Sequence, residues 1–173
     1  MTRRRTVSLA VMLAALVALA GMQAGTVLAG PATTAPKFLE WNSMVGVPQA
    51  FTGTAMPQLN IRGVIGGGVP WTLTKGKGSL RTDGHLKIKV DGLVLATTLS
   101  NPAATFRATV SCLTSTGDTM NVQTGTFPAT TGLASAGGGD STIEADLAIP
   151  KPCIAPIVFV TSGTGSWFAV TGN

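Results

Sequence analysis

From His85 to Val90 the chain alternates without a break: Leu86, Ile88 and Val90 fall on one side of an extended backbone, and His85, Lys87 and Lys89 on the other. A period of two marks a strand with one buried face. Turn dipeptides bound it, Asp83-Gly84 before and Asp91-Gly92 after. Side-chain facing then selects a register at the first turn. A two-residue Asp83-Gly84 loop would pair Leu80 with Lys87, putting an apolar side chain on the lysine face. A three-residue Thr82-Asp83-Gly84 loop with Gly84 left-handed pairs Leu80 with Leu86, Ser79 with Lys87 and Lys77 with Lys89. Only the second keeps the apolar set together, so it is the predicted register. At the second turn, a two-residue Asp91-Gly92 connection pairs Val90 with Leu93 and Ile88 with Leu95. One long strand bulged at Gly92 is the alternative.

The same period recurs downstream. Phe106, Ala108, Val110 and Cys112 alternate with Arg107, Thr109 and Ser111; Met120, Val122 and Thr124 lead into Phe127; Ile143, Ala145, Leu147 and Ile149 alternate with Glu144, Asp146 and Ala148. Ile157-Val158-Phe159-Val160 is a continuous apolar run, as in a strand buried on both faces. Ser166–Thr171 is expected as the last strand, Phe38–Val47 as a first strand or edge segment, and Leu59–Gly63 as a strand. Thr130–Ser141 is small, polar and glycine-rich, and is expected to be a mobile loop. Gly66-Gly67-Gly68 lacks the Lys-Ser/Thr pair and following helix of a phosphate loop, and is expected to turn Pro70-Trp71 back onto a sheet. No segment past the N-terminus sustains a 3.6-residue period. Roughly eight to ten short strands separated by Gly, Pro and Asp/Asn turns predict an all-β fold, an antiparallel β-sandwich with a β-barrel as the alternative.

The N-terminus has another logic. Arg3, Arg4 and Arg5 precede an apolar stretch, Leu9–Ala20, and small-residue cleavage sites end at Ala20 and Ala29. This is the pattern of a secretory signal peptide over residues 1–29, with a Pro/Ala/Thr-rich leader over 30–37 and a single β domain over 38–173. An uncleaved anchor is the other reading of the apolar run, which Gly21, Gln23 and Gly25 interrupt. The expected location is secreted or at the cell envelope. The assignment also alters the charge. Of twelve basic residues three belong to the signal, leaving nine against seven acidic, so the formal +5 falls to +2. That balance gives no reason to expect nucleic acid as a partner.

Cys112 and Cys153 are the only cysteines, and in an oxidising compartment an even pair predicts one disulfide. It would tie the Phe106–Cys112 strand to the Pro-flanked corner before Ile157–Val160. The chain-entropy model values such a loop at about 4 kcal/mol.

Two candidate sites follow from the strand patterns. The predicted register gathers Lys77, Arg81, His85, Lys87 and Lys89 on one outer face with no acid among them. Such a face suits an anionic polysaccharide, lipid headgroups or another envelope protein; equally, it suits solvent, with lysines guarding a sheet edge. The second candidate is Glu144 with Asp146, i,i+2 on one strand face and so about 6.5–7 Å apart at Cα. That pair could serve a secreted hydrolase acting on glycosides or, with Asp140, hold calcium. Trp41, Trp71 and Trp167 would stack on sugar wherever they are exposed. The one histidine has no Gly-x-Ser-x-Gly elbow to serve, and a lone histidine cannot build a zinc or copper site. No catalytic residue, metal or cofactor is therefore expected.

The blocks Gly66–Trp71, Gly84–Leu95, Asn101–Cys112 and Pro150–Asn173 resemble blocks of uncharacterised exported bacterial proteins. That resemblance implies export and a β-domain, with no activity attached. The phrase LKIKVDGL is also similar to strands of chordin-like and copper/zinc superoxide dismutase-like sandwiches. The histidine ligands of the dismutases are absent here, so that activity does not transfer. The expected function is a non-catalytic exported module that binds a macromolecule. A hydrolase using Glu144 and Asp146, or a structural wall component, are the alternatives.

Overall fold

A computed structural model describes residues 34–52 and 61–171. The signal segment, residues 30–33 of the leader, Leu59 and Asn60 lie outside the described residues.

The described residues form fourteen strand segments, nine of them three residues or longer, and two single 3-10 turns. In chain order the strands are β1 (Lys37–Trp41), β2 (Met44–Gly46), β3 (Trp71–Thr72), β4 (Lys75–Arg81), β5 (His85–Asp91), β6 (Val94–Leu95) and β7 (Ser100–Asn101). Then follow β8 (Thr105–Leu113), β9 (Thr119–Gln123), β10 (Phe127–Pro128), β11 (Gly132–Leu133), β12 (Ser141–Asp146), β13 (Ile154–Thr161) and β14 (Trp167–Thr171). One sheet runs β1-β4-β5-β12; the other runs β10-β8-β13-β14-β2, with β9 also paired to β8. Two small ribbons, β3-β6 and β7-β11, complete the set. Neither main sheet closes on itself, so the fold is a β-sandwich and not the alternative barrel. No helix among the described residues is long and apolar enough to cross a membrane.

Alternation places the core. Leu80, Leu86, Ile88, Val90 and Ile143 of the four-stranded sheet are fully buried, as are Phe106, Ala108, Val110, Cys112, Val158 and Val160 of the other. Each such Val, Leu, Ile or Phe contributes roughly 1.5–3 kcal/mol relative to exposure. Trp71 stacks on Phe168 with centroids 3.9 Å apart, and Phe106 meets Phe168 edge-on at 6.0 Å. Phe159 is buried from the other side of its sheet, against Trp167 at 6.0 Å, and Phe51 meets Trp167 edge-on at 6.1 Å. The expected double burial of the Ile157–Val160 run thus has a physical cause: a second apolar layer covers the six-stranded sheet.

The β4–β5 hairpin adopts the predicted register, with Leu80 opposite Leu86, Ser79 opposite Lys87 and Lys77 opposite Lys89. Gly84 is left-handed (φ 94°), its N–H donating to Arg81 O, and the Asp83 carboxylate accepts from the His85 N–H. The disulfide joins Cys112 of β8 to Cys153, at a Cα separation of 4.9 Å. Because Ile154 pairs with Leu113, it staples two neighbouring strands at their ends.

Three expectations are corrected. The Asp91-Gly92 hairpin does not form. Val90 lies between Gly76 and Ser141, and Val94–Leu95 pair instead with Trp71–Thr72. Six residues of β12 take the place beside β5 that two residues of β6 would have filled. Gly92 is left-handed and donates its N–H to the Asp140 carboxylate at 2.8 Å, which turns the chain out of the sheet. The Thr130–Ser141 segment is a hydrogen-bonded unit: Gly132–Leu133 pair with Ser100–Asn101, and Gly139 donates to Thr130 O and accepts from Leu93 N–H. Its glycines serve close packing, since a Cβ at Gly139 would collide with the Leu93 backbone. The described part of the expected Leu59–Gly63 strand is a tight turn. Ile61 and Val64 exchange both backbone hydrogen bonds around Arg62 and Gly63, which both have positive φ. The Arg62 guanidinium, donating to Ser111 O and Ala155 O, holds that conformation. Phe38–Val47, expected as a first strand or edge segment, supplies both: it divides at Asn42-Ser43 and gives an edge strand to each sheet.

Candidate functional site

The two sites expected from sequence are one surface. β12 lies antiparallel beside β5 with Glu144 opposite Lys87, Asp146 opposite His85 and Thr142 opposite Lys89. Residues directly opposite in a ladder share a face, so the carboxylates project among the cations. One row across the sheet runs Glu40, Ser79, Lys87, Glu144, and the next runs Lys77, Lys89, Thr142. Between them, on the inner side, lies the row Trp41, Gly78, Ile88, Ile143. Gly78 has no side chain because the Trp41 indole occupies that space. The apolar row fixes the sheet's facing and thereby presents both polar rows outward.

The face is therefore not free of acids, and the expectation of an uncompensated five-cation patch is corrected. Lys87 Nζ is 2.8 Å from Glu144 Oε2, and Lys89 Nζ is 3.2 Å from Asp91. The His85 ring has Nδ1 2.8 Å from Asp146 and Nε2 3.4 Å from Glu144. The Lys87 ammonium, through its hydrogen bond and its charge, holds the Glu144 carboxyl below the usual carboxylate range, with His85 acting in the same direction. Lys77 and Arg81, both on β4, have no acid within ion-pair distance among the described residues. Lys77 faces Lys89, and Arg81 faces Lys37, whose ammonium is bound to Glu40 at 2.7 Å.

A shallow groove of about 570 Å³ crosses this face, lined by Glu40, Trp41, Asn42, Lys77, Gly78, Ser79, Lys87, Lys89 and Thr142. Other clefts have different linings. One of about 470 Å³ sits at the disulfide corner, between Phe38, Thr82 and Ile149–Cys153. A smaller one, about 230 Å³, lies over the six-stranded sheet and is lined mainly by neutral residues, among them Thr109, Asn121, Gln123 and Ser166. Glu144 and Asp146 line none of these three.

Placement bears on several of the candidate chemistries. The three tryptophans are all buried, at 5, 6 and 1% exposure for Trp41, Trp71 and Trp167, so none offers a platform for stacking sugar. Asp140, the third acid of the cluster weighed for calcium, accepts the Gly92 N–H. Among the described residues no group of three or more His, Cys, Asp and Glu side chains is arranged to hold a metal ion. Ser111 is buried in the six-stranded sheet, away from the His85 ring. Off the four-stranded sheet, Arg107 donates to Thr124 O and Gly163 O, and like Arg62 it serves the fold.

Sequence reasoning missed Glu40 and Asp91 as members of this face, and missed that β12 adjoins β5. A signal was present for the second: His85/Lys87 and Glu144/Asp146 are i,i+2 pairs of complementary charge on strands of matching length. A scan against family models, a search of curated proteins and a search of solved structures each give no match, so no functionally characterised family is matched.

Proposed function

We propose that this chain is an exported, non-catalytic β-sandwich module that binds a macromolecule at the cell envelope or outside the cell, through the outer face of its four-stranded sheet. The observation that carries the reading is segregation of charge. Glu40, Lys75, Lys77, Arg81, His85, Lys87, Lys89, Asp91, Glu144 and Asp146 all belong to that one sheet. A solvated surface needs its charges spread; a concentrated, mixed-sign face suits partner selection and register. Export is supported by the basic and apolar N-terminal pattern, and by a disulfide that a reducing compartment would not keep.

The hydrolase alternative has less support. Glu144 and Asp146 line none of the three clefts described above and are engaged by Lys87 and His85, so no concave site places a glycosidic bond between them. A purely structural wall component would leave the groove without a ligand. The test is retention of the purified, oxidised protein on a glycan array and on anionic phospholipid vesicles. Retention that weakens with added salt is expected; no retention on either support at low salt overturns the reading.

A further inference from the structure

We infer that the partner is a linear anionic polysaccharide lying lengthwise along β4, with Lys77 and Arg81 as its principal contacts; this rests on the binding-face reading above. The outward residues of β4 are Lys75, Lys77, Ser79 and Arg81, a stripe about 20 Å long at strand spacing. The cations on the neighbouring strands are occupied. Lys87 is held by Glu144, Lys89 by Asp91 and Lys37 by Glu40. Lys75 faces Asp91, whose carboxylate is on Lys89. Lys75, Lys77 and Arg81 thus make no ion pair among the described residues, and of the three only Lys75 has an acid opposite it; the groove opens around Lys77, with Ser79, Asn42 and Thr142 presenting hydroxyl and amide groups beside it and Glu40, held by Lys37, at its edge. Opposing Lys77 to Lys89 across the ladder is unfavourable by itself, and an anionic group seated between them relieves it.

The shape of the charge pattern selects the partner. A narrow chain following β4 meets cations and a hydroxyl. A flat anionic bilayer covering the whole sheet would also press against Glu40, Glu144 and Asp146. Membrane docking would further require apolar side chains to insert. The large apolar side chains exposed among the described residues sit on other elements, apart from Phe38, which lines the cleft at the disulfide corner. A single-stranded nucleic acid would require aromatic stacking, and the tryptophans are buried while tyrosine is absent from the chain. Hydroxyl and amide groups next to separated cations match a polymer that carries hydroxyls between its carboxylates.

The experiment is titration of the oxidised protein with polygalacturonate, neutral dextran, polyglutamate and phosphatidylglycerol vesicles at low salt. Polygalacturonate is expected to bind and dextran not to. Lys77→Ala/Arg81→Ala is expected to weaken binding by at least about tenfold, and Lys87→Ala by a smaller factor of about threefold, because Lys87 lines the groove but its charge is already taken up by Glu144. Lys77→Arg, which keeps the charge, should retain binding, and unchanged circular dichroism of each variant checks folding. Equal losses in the β4 pair and in Lys87→Ala overturn the β4 path. Polyglutamate binding as tightly as polygalacturonate overturns the saccharide assignment. Binding to vesicles alone discards the polysaccharide but leaves the binding face standing; binding to nothing on this panel or the glycan array removes both.

Discussion

Glu144 stands directly across the β5–β12 ladder from Lys87, its Oε2 2.8 Å from the lysine nitrogen. This contact merges a basic strand with an acidic one, and it has a pH signature. The Glu144 carboxyl is held below its ordinary value of 4.5, first by the Lys87 hydrogen bond and charge. A depressed carboxyl stabilises the fold above its unfolded value, and that contribution is lost as pH falls through the lower folded value. The thermal midpoint should therefore drop as pH falls below about 4.5, and Glu144→Gln should remove part of that drop. Because the group is exposed, the effect is small. A Glu144→Gln variant with an unchanged acid profile would show that the pair carries no stability.

How far the sequence reveals the fold depends on sequence separation. The β4–β5 register was legible because turn chemistry and facing agree within a few residues, and the structure pairs Leu80 with Leu86 accordingly. The β5–β12 pairing joins residues far apart, and Ile143 and Ala145 alternate like any half-buried strand. Nothing local in that pattern says which strand it adjoins, so in the sequence the acids and cations form two separate candidates. The Asp91-Gly92 dipeptide misled for a related reason. Gly92 supplies a left-handed turn, as a hairpin would need, but Asp140 captures its N–H and the chain leaves the sheet. Turn chemistry specifies a bend; the partner strand is specified by packing elsewhere.

Gly84 separates backbone strain from packing. Its φ is 94°, and a Cβ there would strike the Leu147 carbonyl, while Gly117 has a φ of 84° with open space around it. Alanine at Gly117 should cost about 1–2 kcal/mol, the left-handed penalty alone. Alanine at Gly84 must also displace Leu147, whose N–H donates to Gly84 O. Its cost should exceed that of Gly117→Ala by about 1–3 kcal/mol. Urea midpoints of the two variants measure the difference directly, and equal costs would mean that Leu147 yields freely.

The Cys112–Cys153 bond closes a loop with a sequence separation of 41. Removing it as Cys112→Ala/Cys153→Ala should lower the unfolding free energy by about 4 kcal/mol, chiefly by freeing the unfolded chain. A variant as stable as the oxidised protein would require that the strand ends be held by β8–β13 pairing alone.

Lys77 and Lys89 face one another across the central hairpin, and the same opposition that favours an anion should cost stability in its absence. Lys77→Glu replaces a like-charge pair by an opposite one on an exposed ladder, worth about 0.2–1 kcal/mol. Lys89 already shares Asp91 at 3.2 Å, which holds the gain toward the lower end of that range. The variant should therefore unfold at a slightly higher urea concentration than the parent, with the difference fading as salt is added. Its affinity for polygalacturonate should fall at the same time. Opposite movement of stability and binding is the mark of a charge kept for a ligand; if Lys77→Glu leaves both unchanged, Lys77 is simply solvated.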